Sequence, residues 1–132
     1  MAVKFPDSEK VTVNLGFVDL GQVDLLVREG FYGNRADFIR TAIRNQLDRH
    51  SEVLRQSATR RTLDLGLRRI TRPELEAARE RQAPLRISVL GLVVINPDVT
   101  PDLARAAIAS ISVLGALHAT PEVRAALNDR ID

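Results

Sequence analysis

At 132 residues, with 45% hydrophobic and 27% charged side chains, the chain has the size and balance of one folded domain, or of two very small ones, and not of a disordered tail. No apolar run approaches the roughly 20 residues that span a bilayer, and the N-terminus MAVKFPDSEK lacks the apolar centre of a signal peptide, so a cytoplasmic location and no membrane partner are expected. The absence of Cys excludes disulfides and thiolate metal sites, and a formal charge of +2 is too small to point to nucleic acid by itself.

The charge is unevenly spread. Residues 1–50 carry seven bases against seven acids, residues 51–86 nine Arg against five acids, and residues 87–132 three Arg against five acids, giving 0, +4 and −2. Nearly all the bases are Arg, which favours planar pairing with carboxylate or phosphate.

In chain order, residues 1–8 read as a flexible lead. Glu9–Leu15 alternates with period two, Val11, Val13 and Leu15 on one face and Lys10, Thr12 and Asn14 on the other, which predicts a short strand ended by Gly16. Asp19 is read as the N-cap of a first helix running to about Glu29, with Gly30 as its stop. Phe31–Asn34 is a turn, and Asn34 caps a second helix whose apolar positions Phe38, Ile39, Ala42, Ile43 and Leu47 follow i, i+4 spacing. Arg35, Arg40, Arg44 and Arg49 fall on or near its polar side. A lone strand and two short helices cannot close a core, so a partner chain is expected.

Strand, helix, Gly/aromatic turn and a capped helix opening Asn34-Arg35-Ala36-Asp37-Phe38-Ile39-Arg40 together resemble the ribbon-helix-helix (CopG/Arc/MetJ-like) DNA-binding fold, over about a third of the chain. The resemblance implies a homodimer whose two strands form an antiparallel ribbon that lies in the major groove of double-stranded DNA, above four interlocked helices. Lys10, Thr12 and Asn14 would then face base edges: Lys10 suits guanine O6/N7, Asn14 adenine, and Thr12 a hydrogen bond or a thymine methyl. Backbone N–H groups around Gly33, Asn34 and Arg35 would hold a phosphate. A solvated strand face and a plain helix cap are the structural alternatives for the same residues. Only one of the three outward strand residues is basic, so phosphate contacts would carry much of the affinity.

Residues 51–62 are expected to be a helical, Arg-rich linker, in which Arg60 and Arg61 either supply further phosphate contacts or pair with the acidic C-terminal part. Beyond it, Leu63–Leu67, Ser88–Leu92 and Ser112–Ala116 share a phrase whose glycines, Gly66, Gly91 and Gly115, lie 25 and 24 residues apart. Each phrase precedes a Pro-acid-aliphatic helix start, at Pro73, Pro101 and Pro121, and an Ala-rich stretch such as Ala104–Ala109. Residues 63–132 are therefore read as strand-turn-helix repeats, with the glycines following strands and explained by tight turns or close backbone packing, and Asn96–Val99 lengthening one turn. Three copies are near the minimum for a common core, so a higher oligomer through this module is expected.

Little here speaks for chemistry. His50 and His118 lie in no metal-ligand spacing, no nucleophile pattern is present, and the glycines form neither GxGxxG nor a P-loop, so no enzyme, metal or cofactor is expected. The fold class that follows is α+β: an N-terminal ribbon-helix-helix over residues 1–50 forming an intertwined dimer, a linker over 51–62 and a repeat module over 63–132. The function that follows is a bacterial, nucleoid-associated transcriptional repressor. An antitoxin whose C-terminal part wraps a toxin, and a plasmid-partition or filament-forming factor, are the alternatives.

Overall fold

The computed structural model describes residues 5–132, which fall into two units: residues 6–56, and Phe5 with residues 57–132. The division lies inside a helix, α3, described below.

The first unit holds α1 (Phe17–Arg28), α2 (Arg35–Arg49) and the first part of α3 (Ser51–Arg60). α1 starts two residues before the expected cap: Gly16 is the N-cap and makes no side-chain cap bond, while Asp19 lies in the first turn, where its charge favours the helix dipole. The helix stops as expected at Gly30, whose φ of +87° closes a Schellman motif: Phe31 N–H bonds to Leu26 O and Gly30 N–H to Val27 O. In the turn that follows, Tyr32 packs edge-on against Phe38, with ring centroids 5.0 Å apart.

Glu9–Leu15, expected as a strand, carries no ladder bond among the described residues. A strand is defined by its partner, and a single chain offers this segment none. Its apolar face is left open, with Val11 77% and Val13 69% exposed. The helices are equally unfinished. Val23 is the only buried residue of the described unit, whereas Phe17, Val18, Leu25, Ile39, Ile43 and Leu47 are all exposed.

The second unit continues through β1 (Asp64–Ile70), α4 (Arg72–Glu80), β2 (Leu85–Ile95), α5 (Pro101–Ala107), β3 (Ile108–His118) and α6 (Pro121–Ala126), and ends in a 3-10 turn at Asn128–Arg130. The three strands form one parallel sheet in the order β1-β2-β3. Each strand leads into a short helix, so each connection is a crossover, and crossovers of one hand in sequential order stack the helices on one face. Accordingly α5 packs against both α4 and α6. The helix starts share one device: Thr71, Thr100 and Thr120 accept the backbone N–H of Glu74, Leu103 and Val123, with Pro at the first or second helical position. Each cap contributes about 1 kcal/mol.

Between sheet and helices lies an aliphatic core, with Ile70, Leu75, Val89, Val93, Leu103, Ile111 and Val123 among its members. The opposite face is covered at one end, where Val94 is buried and Phe5 lies against His118, and open at the other, where Leu65, Leu67 and Leu114 are exposed. Two sequence expectations are corrected here. Of the two readings of Gly66, Gly91 and Gly115, the tight turns after strands fail and close backbone packing holds: they sit inside the strands, paired in register, with φ of +123°, +141° and +123°. The reason is close backbone approach: a Cβ on Gly91 would strike the Gly66 carbonyl, and one on Gly115 the Gly91 carbonyl. And the Ala104–Ala109 stretch is helical only to Ala107, because Ile108, fully buried, begins β3 without a loop.

Candidate nucleic-acid interface

Lys10, Thr12 and Asn14 lie in a segment that is neither helix nor strand, all exposed, and alternate along the chain with the exposed Val11, Val13 and Leu15. Paired as a strand, this alternation would put the polar side chains on one side and the apolar ones on the other.

The start of α2 is built by reciprocal side-chain bonds. Asn34 Oδ1 accepts from Asp37 N–H at 2.8 Å, and Asp37 Oδ2 accepts from Gly33 N–H at 2.9 Å. The cap expected at Asn34 is thus present, and the Gly33 N–H already has a partner. The N–H groups of Arg35 and Ala36, at the first two helical positions, have no intrahelical acceptor and lie at the positive end of the helix dipole. That pair can receive one phosphate oxygen or a water.

The Arg35 side chain faces the other way. Its Nε and Nη2 donate to Asp24 Oδ1 and Oδ2 at 2.7 and 2.8 Å, a planar two-point pair between α1 and α2. The Arg35 guanidinium holds the Asp24 carboxyl below its ordinary value, and Asp24 in turn raises Arg35. Both side chains are about half exposed, so the pair orients the two helices more than it stabilises them. A phosphate at this helix end would meet backbone N–H groups with Arg35 held on Asp24. Sequence reading missed this pair; the signal was an acid on α1 and a base at the start of α2, eleven residues apart.

Arg60 and Arg61 belong to the other unit. Arg60 Nη2 donates to Ser57 Oγ at 3.3 Å. Arg61 lines a cavity of about 370 Å³ with Leu63, Ser112, Val113, Leu114 and Asp132. Of the two histidines, His50 Nδ1 lies 3.0 Å from the Gln46 carbonyl. The His118 ring stacks at 5.3 Å on Phe5, with its Nδ1 buried and without a hydrogen-bond partner. Among the described residues no group of three or more His, Asp or Glu side chains is placed to hold a metal ion, and no helix is long and apolar enough to cross a membrane.

The chain matches the family described as the Ribbon-Helix-Helix transcriptional regulator family over residues 6–124, which takes in the first unit and the second as far as α6. No curated protein and no solved structure matches it.

Proposed function

Because the chain belongs to the Ribbon-Helix-Helix transcriptional regulator family, we propose that it is a sequence-specific DNA-binding repressor that acts as a homodimer. Two copies of Glu9–Leu15 pair antiparallel into a ribbon, and the ribbon enters the major groove with Lys10, Thr12 and Asn14 toward the bases. The observation that carries this reading is the incompleteness of residues 6–56: an unpaired alternating segment beside helices that bury one side chain and expose most of their apolar ones. A second copy answers both deficits at once. It supplies the ladder partner and covers Val11, Val13, Ile39, Ile43 and Leu47, each worth about 1.5–3 kcal/mol when taken fully out of water.

The N–H groups at the start of α2 hold a backbone phosphate and fix the register of the ribbon. With one basic residue per strand, readout is narrow and the affinity depends on salt. Repression needs only occupancy of a promoter by a tightly bound dimer. The packed C-terminal sheet supports the regulator over an antitoxin, whose toxin-binding tail would fold only on its partner.

Selection from a random DNA pool by the purified full chain at moderate salt tests the proposal. The expected result is one enriched sequence with two-fold symmetry. Binding with no sequence preference would refute it.

A further inference from the structure

The two edges of the C-terminal sheet differ. On the β3 side the Asp132 N–H donates to the Ile111 carbonyl at 2.8 Å, Ile131 bridges Ile111, and Arg124 Nη1 donates to the Leu117 carbonyl at 2.7 Å. That edge is covered at two rows. On the β1 side the Gly66 carbonyl points inward at β2, so the alternation of peptide groups turns the N–H and C=O of Leu65 and Leu67 outward. Among the described residues nothing bonds to them. The strand has no Pro and no bulge, and Leu65 is 84% exposed. Such an edge is a template for another strand.

Gly66 is a second, independent observation. Gly91 and Gly115 have positive φ because the neighbouring strand's carbonyl occupies the place of a Cβ. Gly66 has the same conformation, with φ +123°, yet nothing lies within 4 Å of where its Cβ would stand. It is shaped for a backbone neighbour that the described residues of one chain do not provide.

We propose that β1 pairs antiparallel with β1 of a second copy about a two-fold axis at Gly66, joining two three-stranded sheets into one of six. This rests on the dimer reading above, since the ribbon brings two β1 strands into one particle and raises their effective concentration. The register follows from three requirements. Gly66 opposite Gly66 of the partner subunit is a non-hydrogen-bonded pair, the close kind at about 4.5 Å between Cα atoms, and neither residue has a side chain to clash. Leu65 then exchanges both backbone bonds with Leu67 of the partner subunit, which uses the outward groups of both strands. Asp64 faces Arg68 of the partner subunit, twice by symmetry; Arg68 is bonded to Glu74 within its own chain, so each meeting adds a second carboxylate to an existing pair. A two-fold axis at Leu65 or Leu67 instead would lose both charge pairs. On the face away from the helices Leu65 and Leu67 join Leu90, Leu92 and Leu114 in a continuous apolar band. A two-fold contact of this kind uses up both β1 edges and leaves no copy of that edge open.

The chain contains no Cys, so co-expressed Leu65→Cys and Leu67→Cys full-length chains report the register directly. Mild oxidation of the purified dimer should give the mixed 65–67 disulfide as the main covalent product, identified by peptide mass. Wild-type amide exchange supplies a readout free of substitution: the Leu65 and Leu67 amides should exchange at least about tenfold more slowly than an open edge allows. A chain that sediments as a dimer and binds DNA, but shows neither the disulfide nor the protection, overturns the edge pairing alone. A chain that sediments as a monomer at all concentrations overturns the dimer reading together with it. A 65–65 linkage as the main product overturns the Gly66-centred register.

Discussion

Ile43→Ala separates a one-chain account of residues 6–56 from a two-chain account. Ile43 is 53% exposed in the single chain, on the face of α2 with Ile39 and Leu47. The substitution removes three carbons, worth about 2.4 kcal/mol at full burial at roughly 0.8 kcal/mol each, so in a lone chain it costs only about 1 kcal/mol. In a dimer that covers this face the site is core, and the cost rises to about 2–5 kcal/mol per chain. Two chains lose about 4–10 kcal/mol together, a thousandfold or more in the dissociation constant at 1.4 kcal/mol per tenfold. The assay has a convenient reporter: Tyr32 is the only Tyr, there is no Trp, and Tyr32 stacks on Phe38 at the start of α2. Urea unfolding followed by tyrosine fluorescence should show a midpoint that falls on dilution, as for any obligate dimer, and that falls further in the variant. A loss near 1 kcal/mol with a midpoint independent of protein concentration would refute the reasoning.

Other outcomes follow from the same geometry. Asn34→Ala removes the acceptor of the Asp37 N–H and should cost about 0.5–2 kcal/mol in the same unfolding assay. Arg60→Ala with Arg61→Ala should lower the slope of log K against log salt by up to about 4 per dimer if all four side chains neutralise phosphates, at roughly 0.9 each; an unchanged slope removes them from the DNA contact. The Arg68 guanidinium, bonded to Glu74, holds that carboxyl below its ordinary value of 4.5. A depressed folded value means the stabilisation is present above pH 4.5 and is lost as pH falls through the folded value. Glu74→Gln should therefore flatten the acid limb of stability, by no more than about 1 kcal/mol for so partly exposed a pair, as read from thermal midpoints across that range.

What was legible in the sequence was local. The Asn34 cap and the Gly30 stop are each set by a few adjacent residues, as are the three Thr-capped helix starts, so chemistry and position agree. The glycine spacing was visible too, with close backbone packing as one of its two readings; that Gly66, Gly91 and Gly115 lie abreast inside the strands was not, because it depends on strand register, which is fixed by crossovers of unequal length. The start of α1 was misplaced because a capping side chain was sought at Asp19, whereas Gly16 caps without one. At the candidate interface the alternation of Lys10, Thr12 and Asn14 is legible in the sequence, but a ladder partner for it is not found among the described residues. The Arg35–Asp24 pair was not legible, because it joins residues from two helices and needs their packing.

The most direct measurement of the central claim is the affinity of the full chain for its selected DNA after Lys10→Ala and, separately, Asn14→Ala. Both side chains are exposed and contact no core, so the dimer should survive. Specific binding should weaken by about 1–3 kcal/mol for each, roughly five- to 150-fold, while binding to unrelated DNA changes much less. Specific affinity left intact by both substitutions, in a protein that still dimerises, would take the ribbon out of the DNA site.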